Sequence, residues 1–276
     1  MQLEFKKVFF IGVLSGIVLS YTYINPFFGR ITLSDVILQL SGSRGEFPLG
    51  TSMQELMGFA LRLAPNYIFV VVFGIIIYRH FCTASVYVFS RHSNRKRWYI
   101  KEISLLGLYS ILFQVVVTVV AVIMAILRYD VVINKAGMTL FLIHIVSYSL
   151  WFFCLSLFMN VIALMLGSNT AFICVATFQM LCITALGLLQ TVKKLEENKE
   201  FVYWVITLNP ITRIILGWHK STNESLASAL FSKYDVLYFC DSLVVLIFLC
   251  CFIIVWGGFV ISKHDLLVAD IELGVI

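Results

Sequence analysis

Long apolar runs separated by short polar breaks dominate the pattern of this chain. Val8–Ile24, Ile103–Leu127, Thr139–Leu166, Ala171–Leu189 and Val236–Ile261 carry few charges, and about 20 apolar residues suffice for a helix to cross a bilayer. Pro65–Phe81 is a weaker sixth run, with Arg79 and His80 near its end. The apolar run Met57–Ala64 before it is interrupted by Arg62, Pro65 and Asn66. The runs are long and do not alternate, which predicts helices and not barrel strands. The expected fold is therefore all-α: a polytopic membrane protein with six transmembrane helices forming one domain over 1–276, without internal repeat or soluble domain.

Composition agrees. The chain is 61% hydrophobic and 13% charged, where a soluble domain carries about 25% charged residues. Lys6 and Lys7 precede the first run, as in a signal peptide. That run leaves through Ser20-Tyr21-Thr22-Tyr23 without a small-x-small cleavage site, so it reads as a retained span. Six of the seven cysteines fall inside spans, Cys82 falls at a span end, and no C-x-x-C occurs. They read as buried apolar thiols, not as a disulfide framework or zinc site.

Charge sets the expected orientation. With the N-terminus inside, the inner pieces hold nine of the twenty Lys and Arg residues, so a raw count decides nothing. Positive-inside bias acts most strongly in short loops and near span ends. The densest cluster lies in such a segment: Arg91, Arg95, Lys96, Arg97 and Lys101, interleaved with Tyr87, Phe89, Trp98 and Tyr99. This places both termini in the cytoplasm and 25–64 and 191–235 outside a cell membrane. The basic aromatic segment suits two roles, anchoring to anionic membrane lipids or docking a cytosolic partner through an interfacial helix. Nucleic acid is not expected as a partner, because no folded domain supports it.

In the second outer segment, charged Lys193–Glu200 leads into apolar Phe201–Leu208, and Asn209-Pro210 is a helix-start signal before Ile211–Trp218. A helical hairpin lying in the outer interface is expected, with Trp204 and Trp218 in the aromatic belt. A strand over 201–208 is the alternative.

Polar residues within the spans are the remaining candidates. Gly12, Gly16 and Ser20 form a small-residue ridge that serves close helix packing, within the chain or between subunits. Ser110, Gln114 and Thr118 stack along the third span, and His144, Tyr148 and Trp151 share a face of the fourth. Thr177, Thr184 and Gln190 are roughly aligned on the fifth, while Asn160 and Asp241 stand singly. Such groups face the bundle interior, either as glue between helices or as a pathway lining. His144 and Asp241 each fall five positions inside their expected spans, about 8 Å deep, so a shared polar gate is one expectation and separate satisfaction the other.

The chain lacks G-x-x-x-x-G-K-[ST], H-E-x-x-H and G-x-S-x-G. Gly42-Ser-Arg-Gly45 is a turn fragment, and His92, His264 and Asp265 have no partner constellation. No catalytic or metal site is expected.

The six spans, the short start, the long inner segment after span two, the turn Gly167-Ser-Asn-Thr170 and the outer hairpin before span six resemble ABC-2 type permeases. Tyr87-Val-Phe-Ser-Arg91 followed by Arg95-Lys-Arg-Trp-Tyr99 is similar to the coupling helix and basic aromatic turn of small bacterial members. The resemblance implies a permease that dimerises, as homo- or heterodimer, and pairs with a separate cytosolic ATPase that binds ATP and Mg. Arg91, Arg95, Lys96, Arg97, Trp98 and Lys101 would face that ATPase, and no cofactor would bind this chain. Seven residues before span one set it apart from the polysaccharide exporters of the family. Peptides, lipids or small hydrophobic compounds are the implied cargo. A membrane immunity or scaffold protein and an intramembrane enzyme are the alternatives.

Overall fold

The computed structural model describes residues 2–25, 30–42, 53–87, 95–191, 199–230 and 237–263. Among the described residues six helical stretches are long and apolar enough to span a membrane: Phe5–Tyr23, Ala64–Cys82, Arg95–Arg128, Lys135–Leu166, Ser168–Leu186 and Phe239–Ser262. The protein is thus an all-α polytopic membrane protein. The face that carries the N-terminus is called near, and the opposite face far.

Helix α1 (Gln2–Tyr23) runs from near to far. A short strand β1 (Arg30–Thr32) leads into α2 (Leu33–Ser41), and then come α3 (Met53–Arg62) and α4 (Ala64–Phe73). Helix α5 (Ile76–Tyr87) completes the return to the near face. Helix α6 (Arg95–Arg128) has 34 residues, which makes it about 51 Å long. Strand β2 (Asp130–Val132), α7 (Lys135–Leu166) and α8 (Ser168–Thr191) come next. Helix α9 (Lys199–Leu208), two 3₁₀ turns (Pro210–Ile214 and Leu216–Trp218), β3 (His219–Lys220) and α10 (Glu224–Ala227) form the far-face segment. Strand β4 (Leu237–Tyr238) introduces the last helix, α11 (Phe239–Lys263).

Apolar windows located the spans but not their ends. Helix α6 begins eight residues before the expected Ile103, and α7 begins at Lys135 instead of Thr139. A backbone helix continues through polar residues at the membrane surface, where hydropathy falls. Consequently Arg95–Tyr99, expected as a basic aromatic turn, forms the opening of the third span, while the coupling helix expected over 87–91 lies, beyond Tyr87, outside the described residues. Arg91 falls in 88–94, outside the described residues.

The ridge of small residues packs within the chain. A Cβ on Gly16 would lie 2.6 Å from the Val117 carbonyl oxygen and 2.9 Å from Val120 Cβ, so α1 rests on α6 backbone to backbone. Gly12 meets Val116 one turn earlier, and the Ser20 carbonyl accepts from Arg128 Nη1 at 3.2 Å. At the centre, the rings of Phe69, Phe113 and Phe152 meet pairwise at centroid distances of 5.0, 5.5 and 5.6 Å. They knit α4, α6 and α7 together by offset and edge contacts.

Helix α2 was not legible as a membrane element. Its signal is the capping box Thr32-Leu-Ser-Asp35, in which Asp35 N–H bonds Thr32 Oγ1 and the Thr32 N–H bonds Asp35 Oδ2 at 3.0 Å. Val36, Ile37, Leu38, Leu40, Gln39 and Ser41 are all buried, as in a helix enclosed on every side. Its start is held at the far face, where Asn134 Oδ1 accepts from Ser34 N at 3.3 Å. Its end is held deeper, where Tyr148 Oη donates to the Ser41 carbonyl at 3.1 Å. Tyr148 lies thirteen residues, about 20 Å, along α7 from Lys135. Helix α2 therefore re-enters the bundle from the far face. Two short parallel clasps, β1–β2 and β3–β4, tie the far-face segments together.

The hinge at Asn209-Pro210 forms as the sequence predicts: Asn209 Oδ1 accepts from Ile211 N at 3.0 Å and starts the 3₁₀ turn. The stretch Ile211–Trp218, however, does not lie flat on the surface. Ile211, Ile214, Ile215 and Leu216 are fully buried, and Trp218 is 3% exposed. Within this hairpin the aromatic surface belongs to α9, where Trp204 is 58% exposed. The reason is tertiary: the 3₁₀ turns pack against α2, α7, α8 and α11.

Candidate functional site

The far half of the bundle encloses a polar cluster. Residues from α3, α4, α6 and α7 meet there: Arg62, Asn66, Gln114, Thr118, His144 and Tyr148. They line a cavity of about 10 Å³, room for one water. Leu19, Leu40 and Phe152 close its apolar walls.

Helical spacing brings Gln114 and Thr118 onto one face of α6, one turn apart. Thr118 Oγ1 donates to the Gln114 carbonyl at 2.8 Å and accepts from Gln114 Nε2 at 3.0 Å. Gln114 Nε2 also lies 3.1 Å from His144 Nε2. An amide nitrogen only donates, so His144 Nε2 accepts and the imidazole proton sits on Nδ1. Among the described residues that Nδ1 has no hydrogen-bond partner. The His144 and Tyr148 rings pack at 4.3 Å, and the Tyr148 hydroxyl is spent on Ser41.

Arg62 ends α3 above this cluster. Its guanidinium carbon lies 4.6 Å from the centre of the Tyr23 ring, a cation–π contact. Burial pulls its pKa below the ordinary arginine value, and the nearby Tyr23 and Tyr148 hydroxyls act in the opposite direction. Arginine nevertheless stays cationic. Among the described residues no carboxylate pairs with it. Arg62 and Asn66 were legible only as interruptions of an apolar run. Their spacing, one helical turn apart, was the available signal for a shared polar face.

Of the residues expected to line a pathway or gate, the fold unites His144, Tyr148 and Gln114. Asn160 lies elsewhere, against span two. Its Oδ1 accepts from Tyr78 N at 2.9 Å, while Nδ2 donates to the carbonyls of Gly74 and of Ser156, the latter at 2.7 Å. Tyr78 N and Gly74 O are the two halves of one i→i−4 helical bond. The Asn160 amide is inserted between them, which explains the break between α4 and α5. Asn160 thus ties α7 to the second span by hydrogen bonds.

Asp241 does not share the depth of His144. Helix α11 starts at Phe239 and α7 at Lys135, so Asp241 is about 3 Å and His144 about 14 Å along their helices. Asp241 is exposed, and its charge acts on Arg213. Hydropathy windows hid the true helix starts, and with them the difference in depth.

At the near face, Lys96, Arg97 and Lys101 are exposed on the first turns of α6. Arg95 Nη1 reaches the Ile261 carbonyl at 3.5 Å, tying α6 to the end of α11. Trp98 packs on Phe81 with ring centres 6.0 Å apart. Glu102 is buried and sits 2.7 Å from His80 Nδ1. Tyr99 fills the notch left by Gly257, where a Cβ would collide with its hydroxyl.

The seven cysteines, all among the described residues, are thiols outside any disulfide. Among the described residues no three His, Cys, Asp or Glu side chains gather as a metal ion requires. No family model, curated protein or solved structure matches this chain.

Proposed function

We propose that this protein is the transmembrane subunit of an ABC-2-like exporter, driven by a separate cytosolic ATPase and placed in a cell membrane with both termini in the cytoplasm. The observation that carries the reading is the continuity of α6. One unbroken 34-residue helix bears the exposed cations Lys96, Arg97 and Lys101 at the near face and Gln114 and Thr118 in the buried polar cluster. Arg95 and Gln114 are about 29 Å apart along it. A push on the basic end therefore moves one wall of the cluster as a rigid body. The re-entrant α2 and the wedge-broken second span supply the irregular backbone that membrane transport proteins enclose within protein. In this reading the cytosolic ATPase docks on the basic turns, a second permease subunit completes the pathway, and the cargo is a peptide, lipid or small hydrophobic compound.

The rival reading, a membrane scaffold or immunity protein, draws on the tight packing of the bundle: the cavity at its polar cluster measures only about 10 Å³. Co-purification separates the two. The exporter reading expects a P-loop ATPase to co-purify with the full chain. Lys96→Glu with Lys101→Glu should remove it while membrane levels hold, since about 1 kcal/mol of lipid attraction per cation is minor beside six spans. Retention of the ATPase by the double reversal overturns the docking surface, and absence of any ATPase overturns the exporter reading.

A further inference from the structure

The polar cluster has an imbalance that its own hydrogen bonds do not resolve. Thr118 and Tyr148 have donated their protons, to the Gln114 and Ser41 carbonyls. Gln114 Nε2 is engaged with Thr118 and His144. The cavity lining is left with His144 Nδ1, Arg62 Nε and Asn66 Nδ2, each buried and, among the described residues, without a hydrogen-bond partner. All three are N–H donors once the His144 tautomer is fixed as above. His144 is 3% and Asn66 1% exposed, so solvent cannot serve them.

The charge is imbalanced in the same direction. Arg62 contributes a cation, and among the described residues it has aromatic neighbours but no acid. A buried donor left unmade is costly, and the half-buried Arg62 guanidinium, whose charge meets no acid among the described residues, attracts a negative charge. One water relieves little. It accepts two hydrogen bonds but brings two protons of its own into a donor-rich site, and it carries no charge.

We propose that the cavity between Arg62, Asn66 and His144 is a binding site for one dehydrated monatomic anion of the chloride class. A halide accepts several N–H donors at once and neutralises the guanidinium. The cavity volume of about 10 Å³ suits a single small ion better than a polyatomic phosphate group. The bound ion fastens the α3–α4 junction, which carries Arg62 and Asn66, to α7 through His144. It also holds His144 against α6 through Gln114. This site is independent of the exporter reading, since it rests on donor count, charge and size alone.

The test uses the full chain purified in detergent. Unfolding is followed at constant ionic strength in sodium gluconate, chloride or bromide. Chloride and bromide should raise the apparent unfolding temperature saturably, by about 5 °C at a hundredfold excess over the dissociation constant. Arg62→Gln should abolish that rise. Because this variant removes a charge, Asn66→Leu provides a second, neutral change that should weaken the halide response. Crystals grown in bromide should give an anomalous peak within hydrogen-bond reach of Arg62 Nε and His144 Nδ1. Equal unfolding in gluconate and halide, an undiminished halide response in Arg62→Gln, or a cavity holding water without a bromide peak overturns the proposal.

Discussion

Replacing Asn160 by aspartate keeps the shape of the wedge in span two and removes its donors. In the native protein one amide serves both halves of an opened helical bond, Tyr78 N–H and Gly74 C=O, and also the Ser156 carbonyl. Aspartate still accepts from Tyr78, but its second oxygen now faces two carbonyl oxygens. Each buried acceptor left unmade costs about 1–3 kcal/mol, and a carboxylate in a span adds about 2.5–3.5 kcal/mol on insertion scales. Alanine behaves differently. It withdraws the wedge, and the Tyr78 N–H can close directly onto the Gly74 carbonyl four residues earlier. Only the Ser156 contact and some packing are then lost, about 1–2 kcal/mol. The expected order is therefore Asn160→Asp well below Asn160→Ala, with wild type most stable. A loss of about 3 kcal/mol corresponds to roughly 6 °C or more in apparent unfolding temperature for a chain of this size. The chain carries its own reporters: Cys82, Cys154 and Cys250 are buried thiols outside any disulfide, so once Cys174, Cys182, Cys240 and Cys251 are replaced by serine or alanine a thiol-reactive fluorophore reads unfolding. An aspartate variant that unfolds with the wild type, or an alanine variant less stable than the aspartate one, refutes the wedge.

Three further outcomes are expected. Gly16→Val should separate α1 from α6 and cost about 1–3 kcal/mol by overpacking, whereas Gly58→Ala, inside α3 and meeting nothing within 4 Å among the described residues, should stabilise by about 0.5–1 kcal/mol in the same unfolding assay. His219, whose Nδ1–H donates to the Ile215 carbonyl, whose Nε2 accepts from Ser242 Oγ and whose ring stacks on Phe239, has its pKa lowered from 6.5 to about 4, chiefly by burial. The unfolded chain then binds a proton that the folded one refuses: the stability is fully present above pH 6.5 and is lost as pH falls toward 4. At about pH 5 the loss is about 2 kcal/mol, and His219→Gln should flatten that dependence in unfolding curves recorded against pH. For the proposed orientation, Asn223→Cys on a cysteine-free background should react with an impermeant reagent in intact cells, and Lys96→Cys only after the cells are opened; the reverse pattern inverts the topology.

The periodicity and length of apolar runs determined the class of this protein, because a bilayer admits only segments that satisfy their own backbone. It also located the close-packing ridge at Gly12 and Gly16 and the hinge at Asn209-Pro210, since both are local: one needs the absence of a Cβ, the other a cap and a fixed φ. Helix α2 was signalled by Thr32 and Asp35, but its re-entry was not, because whether an apolar nine-residue helix lies on a surface or dips inward depends on which cavity the other helices leave. The same holds for Ile211–Trp218, apolar enough for the interface and in fact buried. Hydropathy averages over a window, so it blurred the helix ends by several residues. That error alone made His144 and Asp241 appear level. The polar cluster was half legible: Gln114, His144 and Tyr148 stand out as polar residues in apolar helices, but nothing local joins Arg62 and Asn66 to them. Only the packing of the α3–α4 junction over α6 and α7 does so, and with it comes the surplus of buried donors around one small cavity.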